Sequence, residues 1–277
     1  MNLRATIVLS ALIILLLGCK DNKETVSSNT PVGTVLAEPE KEYLQEKKYT
    51  LLLIDKTISS ETGALDEKYE EKVAELVKTN FNFYGAVFQG SFIHGNTLGV
   101  PPFVVEVFGL KPEEGLEEMP KIKRVQAENK YEAQVKNRQD SLLATLKDNL
   151  LLTPGESTKK HTDLWGAFEL MSTFFQKNKD GSTKEAVFIS DMMESMPGKG
   201  RHDFHKKLPK NKQEAEQLAR KDTRWILANF SINKQALKGV QVKVWPPIDP
   251  LQTSEFRFLR YYWDTLFNEF GVEVTFY

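Results

Sequence analysis

The chain has 277 residues, of which 40% are hydrophobic, 27% charged and 10% aromatic, with a formal net charge of −1. That is the composition of an ordinary globular protein with enough apolar material for a real core. No basic excess argues for a nucleic-acid partner.

In chain order, Met1 to Arg4 is a short positive segment, Ala5 to Leu17 is an unbroken, mostly apolar run, and Leu16-Leu-Gly-Cys19 follows. The run is too short to span a bilayer as a stable helix. The small Gly18 before Cys19 resembles the lipobox cleaved by bacterial lipoprotein signal peptidase. The resemblance implies a signal peptide over 1–18, lipid on Cys19, and a chain anchored to a membrane of the bacterial cell envelope, inner or outer. Cys19 is the single cysteine, so the folded part has no disulfide and must be held by its core. Residues 19–48 are rich in Lys, Glu, Ser, Thr and Pro, and are expected to be a flexible tether.

From Tyr49 onward strand-like and helix-like segments alternate, which predicts one α/β domain over 49–277. Strands are expected at Tyr49 to Ile54, Phe83 to Phe88, Phe103 to Phe108, Glu185 to Ser190, Val240 to Val244 and Val272 to Phe276. Helices are expected at Asp66 to Lys78, Thr162 to Lys177, Gln213 to Asn229 and Thr253 to Phe270. Lys121 to Leu152 contains no Pro or Gly and predicts one or two long helices, a helical insert near 112–158. The aromatic block Phe256, Phe258, Tyr261, Tyr262, Trp263, Phe267 and Phe270 is expected to pack in the core.

Two strands end in acids. Leu51-Leu-Leu-Ile-Asp55 is followed by hydroxyls at Thr57 and Ser59, and Ala186-Val-Phe-Ile-Ser-Asp191 ends in a second aspartate. Carboxylates at the carboxyl ends of central parallel strands stand where open α/β sheets bind ligands. Hard oxygen donors of this kind suit Mg²⁺ or a similar divalent ion.

Three separated motifs resemble the von Willebrand factor A family. Asp55-Lys-Thr-Ile-Ser59 is similar to its Asp-x-Ser-x-Ser loop, with Thr57 in place of the first Ser. His161-Thr-Asp-Leu-Trp-Gly-Ala167 is similar to its threonine loop, and Phe188-Ile-Ser-Asp191 to the strand ending in its second aspartate. The resemblance implies a three-layer, doubly wound and mainly parallel sheet flanked by helices, Rossmann-like in plan. It also implies a metal-ion-dependent adhesion site with Asp55, Thr57, Ser59, Thr162 and Asp191 as ligands to Mg²⁺, or to Mn²⁺ or Ca²⁺. An unidentified protein partner would complete the shell with a carboxylate, and no enzymatic step is expected. The chain departs from the family pattern at Met192-Met193, where a Gly is common.

Other readings of the same residues stay open. Asp55, Asp191 and Thr162 could serve as caps of helices or turns. The domain could act as a scaffold without metal. Leu53-Ile-Asp-Lys-Thr57 is also similar to the nucleophile motif of haloacid-dehalogenase-like phosphohydrolases, with Asp55 attacking, although the usual Gly-Asp-x-x-x-Asp arrangement is missing. His202 and His205 have the i, i+3 spacing of a zinc pair, but their segment reads most simply as a solvated basic loop.

Overall fold

The first apolar run forms strand β1 (Lys48–Asp55), buried along its whole length. The computed structural model describes residues 47–57, 67–151, 160–180, 183–246 and 254–277. The expected signal peptide, Cys19, the tether up to residue 46, and Ser59 lie outside the described residues.

After β1 come helix α1 (Glu67–Asn80), strands β2 (Ala86–Ile93) and β3 (Val104–Phe108), and helices α2 (Lys121–Leu151) and α3 (Leu164–Lys177). Then follow β4 (Thr183–Ile189), α4 (Lys212–Asn229), the single turn α5 (Lys234–Leu237), β5 (Gln241–Val244), α6 (Ser254–Glu269) and β6 (Glu273–Phe276). The six strands form one sheet in the order β3-β2-β1-β4-β5-β6. All neighbours pair parallel except β2 and β3, which are antiparallel. This is the expected doubly wound, mainly parallel α/β sheet, consistent with a Rossmann-like or von Willebrand factor A-type arrangement.

Successive strand residues face opposite sides, so a strand covered on both faces reads as a nearly continuous apolar run. Leu51 and Leu53 of β1, with Ala186 and Phe188 of β4, enter a core shared with Phe168 and Phe175 of α3, Ile226 of α4 and Trp263 of α6. Leu52 and Ile54, with Val187 and Ile189, enter the opposite core with Val73 and Val77 of α1 and Leu142 and Leu146 of α2. The aromatic block largely packs inward as expected: Tyr262, Trp263, Phe267 and Phe270 are buried, while Phe256, Phe258 and Tyr261 are half-buried.

The segment from Lys121 is one helix of 31 residues. Its carboxyl half packs through Leu142 and Leu146, and ion pairs join Arg138 to Glu106 at 2.6 Å and Lys147 to Glu70 at 3.3 Å. Ile122 and Val125 near its start are exposed. High intrinsic helix propensity keeps that half helical with little tertiary support.

The second strand is displaced from its expected position. Phe81 to Gly85 closes α1 as turns, with the Phe83 amide donating to the Asn80 carbonyl at 3.2 Å and Gly85 at φ +74°. The strand begins only at Ala86 and continues through Gly90 and Ser91 to Ile93. Phe81 and Phe83 still pack against the core, but as turn residues. Among the described residues no helix is long and apolar enough to cross a membrane.

Candidate functional site

Parallel pairing of β1 with β4 sets Ile54 opposite Ile189, so the next residues, Asp55 and Ser190, leave the sheet side by side. The Asp55 Oδ1 accepts from the Thr57 amide at 3.0 Å and the Thr57 hydroxyl at 2.8 Å. Its Oδ2 accepts from the Ser190 hydroxyl at 2.7 Å. The Thr162 hydroxyl donates to the Thr57 oxygen at 3.0 Å. Asp55, Thr57, Thr162 and Ser190 are all buried.

Asp191 is half-buried and close enough for its charge to act on Asp55. Its Oδ1 accepts from the Met193 amide at 2.9 Å. Burial, and then the Asp191 carboxylate, push Asp55 up to about 7, against the hydroxyls of Ser190 and Thr57 that favour the ionised form. Four of the five residues expected as ligands are thus brought to one rim of the sheet, and Ser59 lies outside the described residues. The contact between Ser190 and Asp55 is one that sequence reasoning missed. Its signal is the place of Ser190 directly before Asp191, in a strand adjacent to β1.

The capping alternatives divide among these residues. Asp163, not Thr162, caps α3, with its Oδ1 accepting from the Gly166 amide at 2.8 Å. Thr162 lies before the helix, which frees its hydroxyl for Thr57. Asp55 and Asp191 each accept the amide two residues on, as aspartates do in tight turns.

The rim is held by groups that sequence patterns did not reveal. The Thr162 amide donates to Ser195 Oγ at 2.8 Å, and the Ser195 amide donates to the Thr162 carbonyl at 3.1 Å. Glu194, fully buried, accepts from the Leu164 amide at 2.8 Å and the Trp165 amide at 3.3 Å, adding a second carboxylate at the positive end of α3. Arg201 joins both acids: its Nη2 lies 2.6 Å from Asp163 Oδ1, and its Nε donates to Glu194 Oε1 at 3.0 Å. The guanidinium also sits 4.7 Å over the Trp165 ring. Burial pushes the Glu194 carboxyl up, and Arg201 opposes that push.

Met192 takes the left-handed conformation, φ 60°. For a residue with a Cβ this costs roughly 1–2 kcal/mol. Its side chain is fully buried, and its carbonyl accepts from Trp263 Nε1 at 2.8 Å, which holds the turn in place. His202 points inward to Asp222 at 2.7 Å, whereas His205 is exposed, so the two do not converge as a zinc pair.

Among the described residues no group of three or more His, Cys, Asp or Glu side chains gathers as a metal cluster. The expected ligands described at the rim offer two carboxylates and two threonine hydroxyls, all oxygen. Such a set fits a hard divalent cation, whose charge would offset the repulsion between Asp55 and Asp191.

No family model matches the chain, and no curated protein matches it. One solved structure similar to it is the human COPII-coat protein Sec24c, with a TM-score of 0.35 and 10% identity. The match covers 85% of this chain and 30% of that one, and the likeness is too slight to bear on function.

Proposed function

We propose that the chain is a lipid-anchored protein of the bacterial cell envelope whose von Willebrand factor A-type domain binds another protein through a divalent cation. The observation that supports this most is the hydroxyl relay from Thr162 through Thr57 to Asp55, with Asp191 within electrostatic reach. Asp55, Thr57, Thr162 and Asp191, together with Ser59, would hold Mg²⁺, Mn²⁺ or Ca²⁺. When bound, the ion supplies a Lewis-acid position for a carboxylate of the partner.

The chain's own residues prepare that position. Ser190 holds the second oxygen of Asp55, which orients the carboxylate. Ser195 pins the Thr162 backbone from both sides, which aims its hydroxyl at Thr57. Neither role requires a covalent step.

Thermal unfolding of the full chain with and without Mg²⁺, Mn²⁺ or Ca²⁺ tests the reading. An ion that binds the folded state should stabilise it by about 2.7 kcal/mol at a hundredfold excess over its dissociation constant. Asp55→Ala should remove that gain while leaving a folded domain. Indifference of the melting temperature to all three ions would leave a metal-free scaffold. Hydrolysis of a generic phosphoester that is lost in Asp55→Asn would instead favour the phosphohydrolase reading.

A further inference from the structure

We propose that the segment after the Asp191 loop forms, with the first turns of α6, a second docking surface that takes an acidic peptide segment of a protein partner. A groove of about 480 Å³ is lined by Phe204, His205, Lys206, Leu208, Lys210 and Phe258. Loops leaving the parallel strands β1, β4 and β5 emerge at one edge of the sheet, so this groove belongs to the same carboxyl rim as Asp55 and Asp191.

The segment is held in place. The Phe204 amide donates to the Glu194 carbonyl at 2.8 Å, and the buried Phe204 ring meets Tyr262 edge-on at 5.0 Å. With that ring fixed in the core, His205, Lys206, Lys207 and Lys210 are exposed. Arg257 lies over the Phe258 ring at 5.1 Å and adds a further exposed cation beside the groove. Asp203, paired with Lys206 at 2.6 Å, and Glu214, which accepts the Lys210 amide at 2.9 Å, are the acids in contact with these residues.

Charge complementarity decides the occupant. The chain as a whole carries −1, yet Lys199 to Lys212 holds five lysines and one arginine against the single acid Asp203. Arg201 is spent on Glu194 and Asp163, and Lys206 pairs with Asp203 and Lys212 with Glu216, yet all five lysines are exposed, and Lys199, Lys207 and Lys210 extend the positive surface. A flat cationic patch would suit a membrane surface. A concave groove with half-buried Leu208 and Phe258 in its wall suits a peptide whose carboxylates meet the lysines while an apolar side chain enters. This extends the metal-dependent reading and rests on it in one respect, that the same partner could give one carboxylate to the ion and further acids to the groove.

The test is fluorescence anisotropy of a labelled Asp-Glu-Leu-Glu-Asp-Glu peptide with the full chain in EDTA, which removes the metal route. Binding should weaken about tenfold in Lys206→Glu/Lys210→Glu and weaken on raising salt. The Gln/Asn analogue of the peptide should not bind, and Phe258→Ala should weaken binding without changing its salt dependence. Peptide binding in EDTA does not involve the ion, so its outcome bears on the groove alone, whereas ion-dependent stabilisation of the parent chain bears on the metal reading alone. Undiminished binding by the double lysine variant, equal binding of the neutral peptide, or binding confined to vesicles rich in anionic lipid would each overturn the proposal.

Discussion

The Thr162 hydroxyl donates to the Thr57 hydroxyl at 3.0 Å, joining side chains 105 residues apart, and Thr57 passes its own proton toward Asp55 at 2.8 Å. A buried relay of this kind behaves as a unit, because removing one member strands the next. Thr57→Val and Thr162→Val should each cost about 1–2 kcal/mol in urea unfolding. The double variant should cost less than their sum by at least about 0.5 kcal/mol, since the two share one bond. Strict additivity would show that the hydroxyls act separately.

Gly166→Ala should destabilise, against its helix propensity. In an open helix interior alanine is favoured over glycine by about 1 kcal/mol. Here an added Cβ would overlap Asp163 Oδ2, and that carboxylate is held by both the Gly166 amide and Arg201. A net loss of about 1–3 kcal/mol is expected in chemical denaturation, the range for overpacking a fixed site. A gain would mean that the Asp163 cap moves aside freely.

Arg201→Met should cost about 3–5 kcal/mol, because it leaves buried Glu194 and the Asp163 carboxylate without their shared cation. Arg201→Lys should recover only part of this, since one ammonium cannot serve both acids with a planar fork. Glu194→Gln in the Arg201→Met background should recover part of the loss, because the amide needs neither a proton nor a cation in that buried place, while Asp163 stays without its partner. Denaturation of the three variants under one set of conditions provides the comparison.

Met192→Gly sets two effects against each other. Glycine relieves the left-handed backbone, a gain of roughly 1–2 kcal/mol, but it empties a fully buried site, and deletion of a core methionine costs about 2–5 kcal/mol. The cavity is the larger effect, so a melting temperature below that of the parent is expected. A higher one would mean that the neighbouring aromatics close over the gap.

The raised Asp55 carboxyl gives a pH dependence in EDTA. From its ordinary 3.8 to about 7 the folded state holds a proton that the unfolded state has released, so stability falls as pH rises through that window. Below about 4 the contribution is fully present. Asp55→Asn should lessen the slope across this window, as measured by urea unfolding at a series of pH values. An unchanged slope would assign the dependence to other groups.

Much of the frame was legible because it depends on local pattern. The continuous apolar runs ending in Asp55 and Asp191 marked buried parallel strands, and the spacing of Phe168, Met171 and Phe175 marked the inward face of α3. The start of β2 was not legible, since Phe81 and Phe83 are apolar whether they sit in a strand or in a packed turn. Thr162 and Asp163 were equally hard to separate, because either side chain could cap α3, and the difference rests on where Thr57 stands.

By itself the sequence determined an α/β chain with two acid-ended strands, hydroxyls beside the first, and a threonine before a helix. These follow from hydrophobic period and residue chemistry, which act over a few residues. Tertiary structure alone decided that Ser190 faces Asp55, that Glu194 and Arg201 brace the start of α3, and that Met192 turns left-handed beneath Trp263. Each of those depends on strand register and on burial shared by distant segments, and the free energy of a buried polar pair exists only once both partners have left water together.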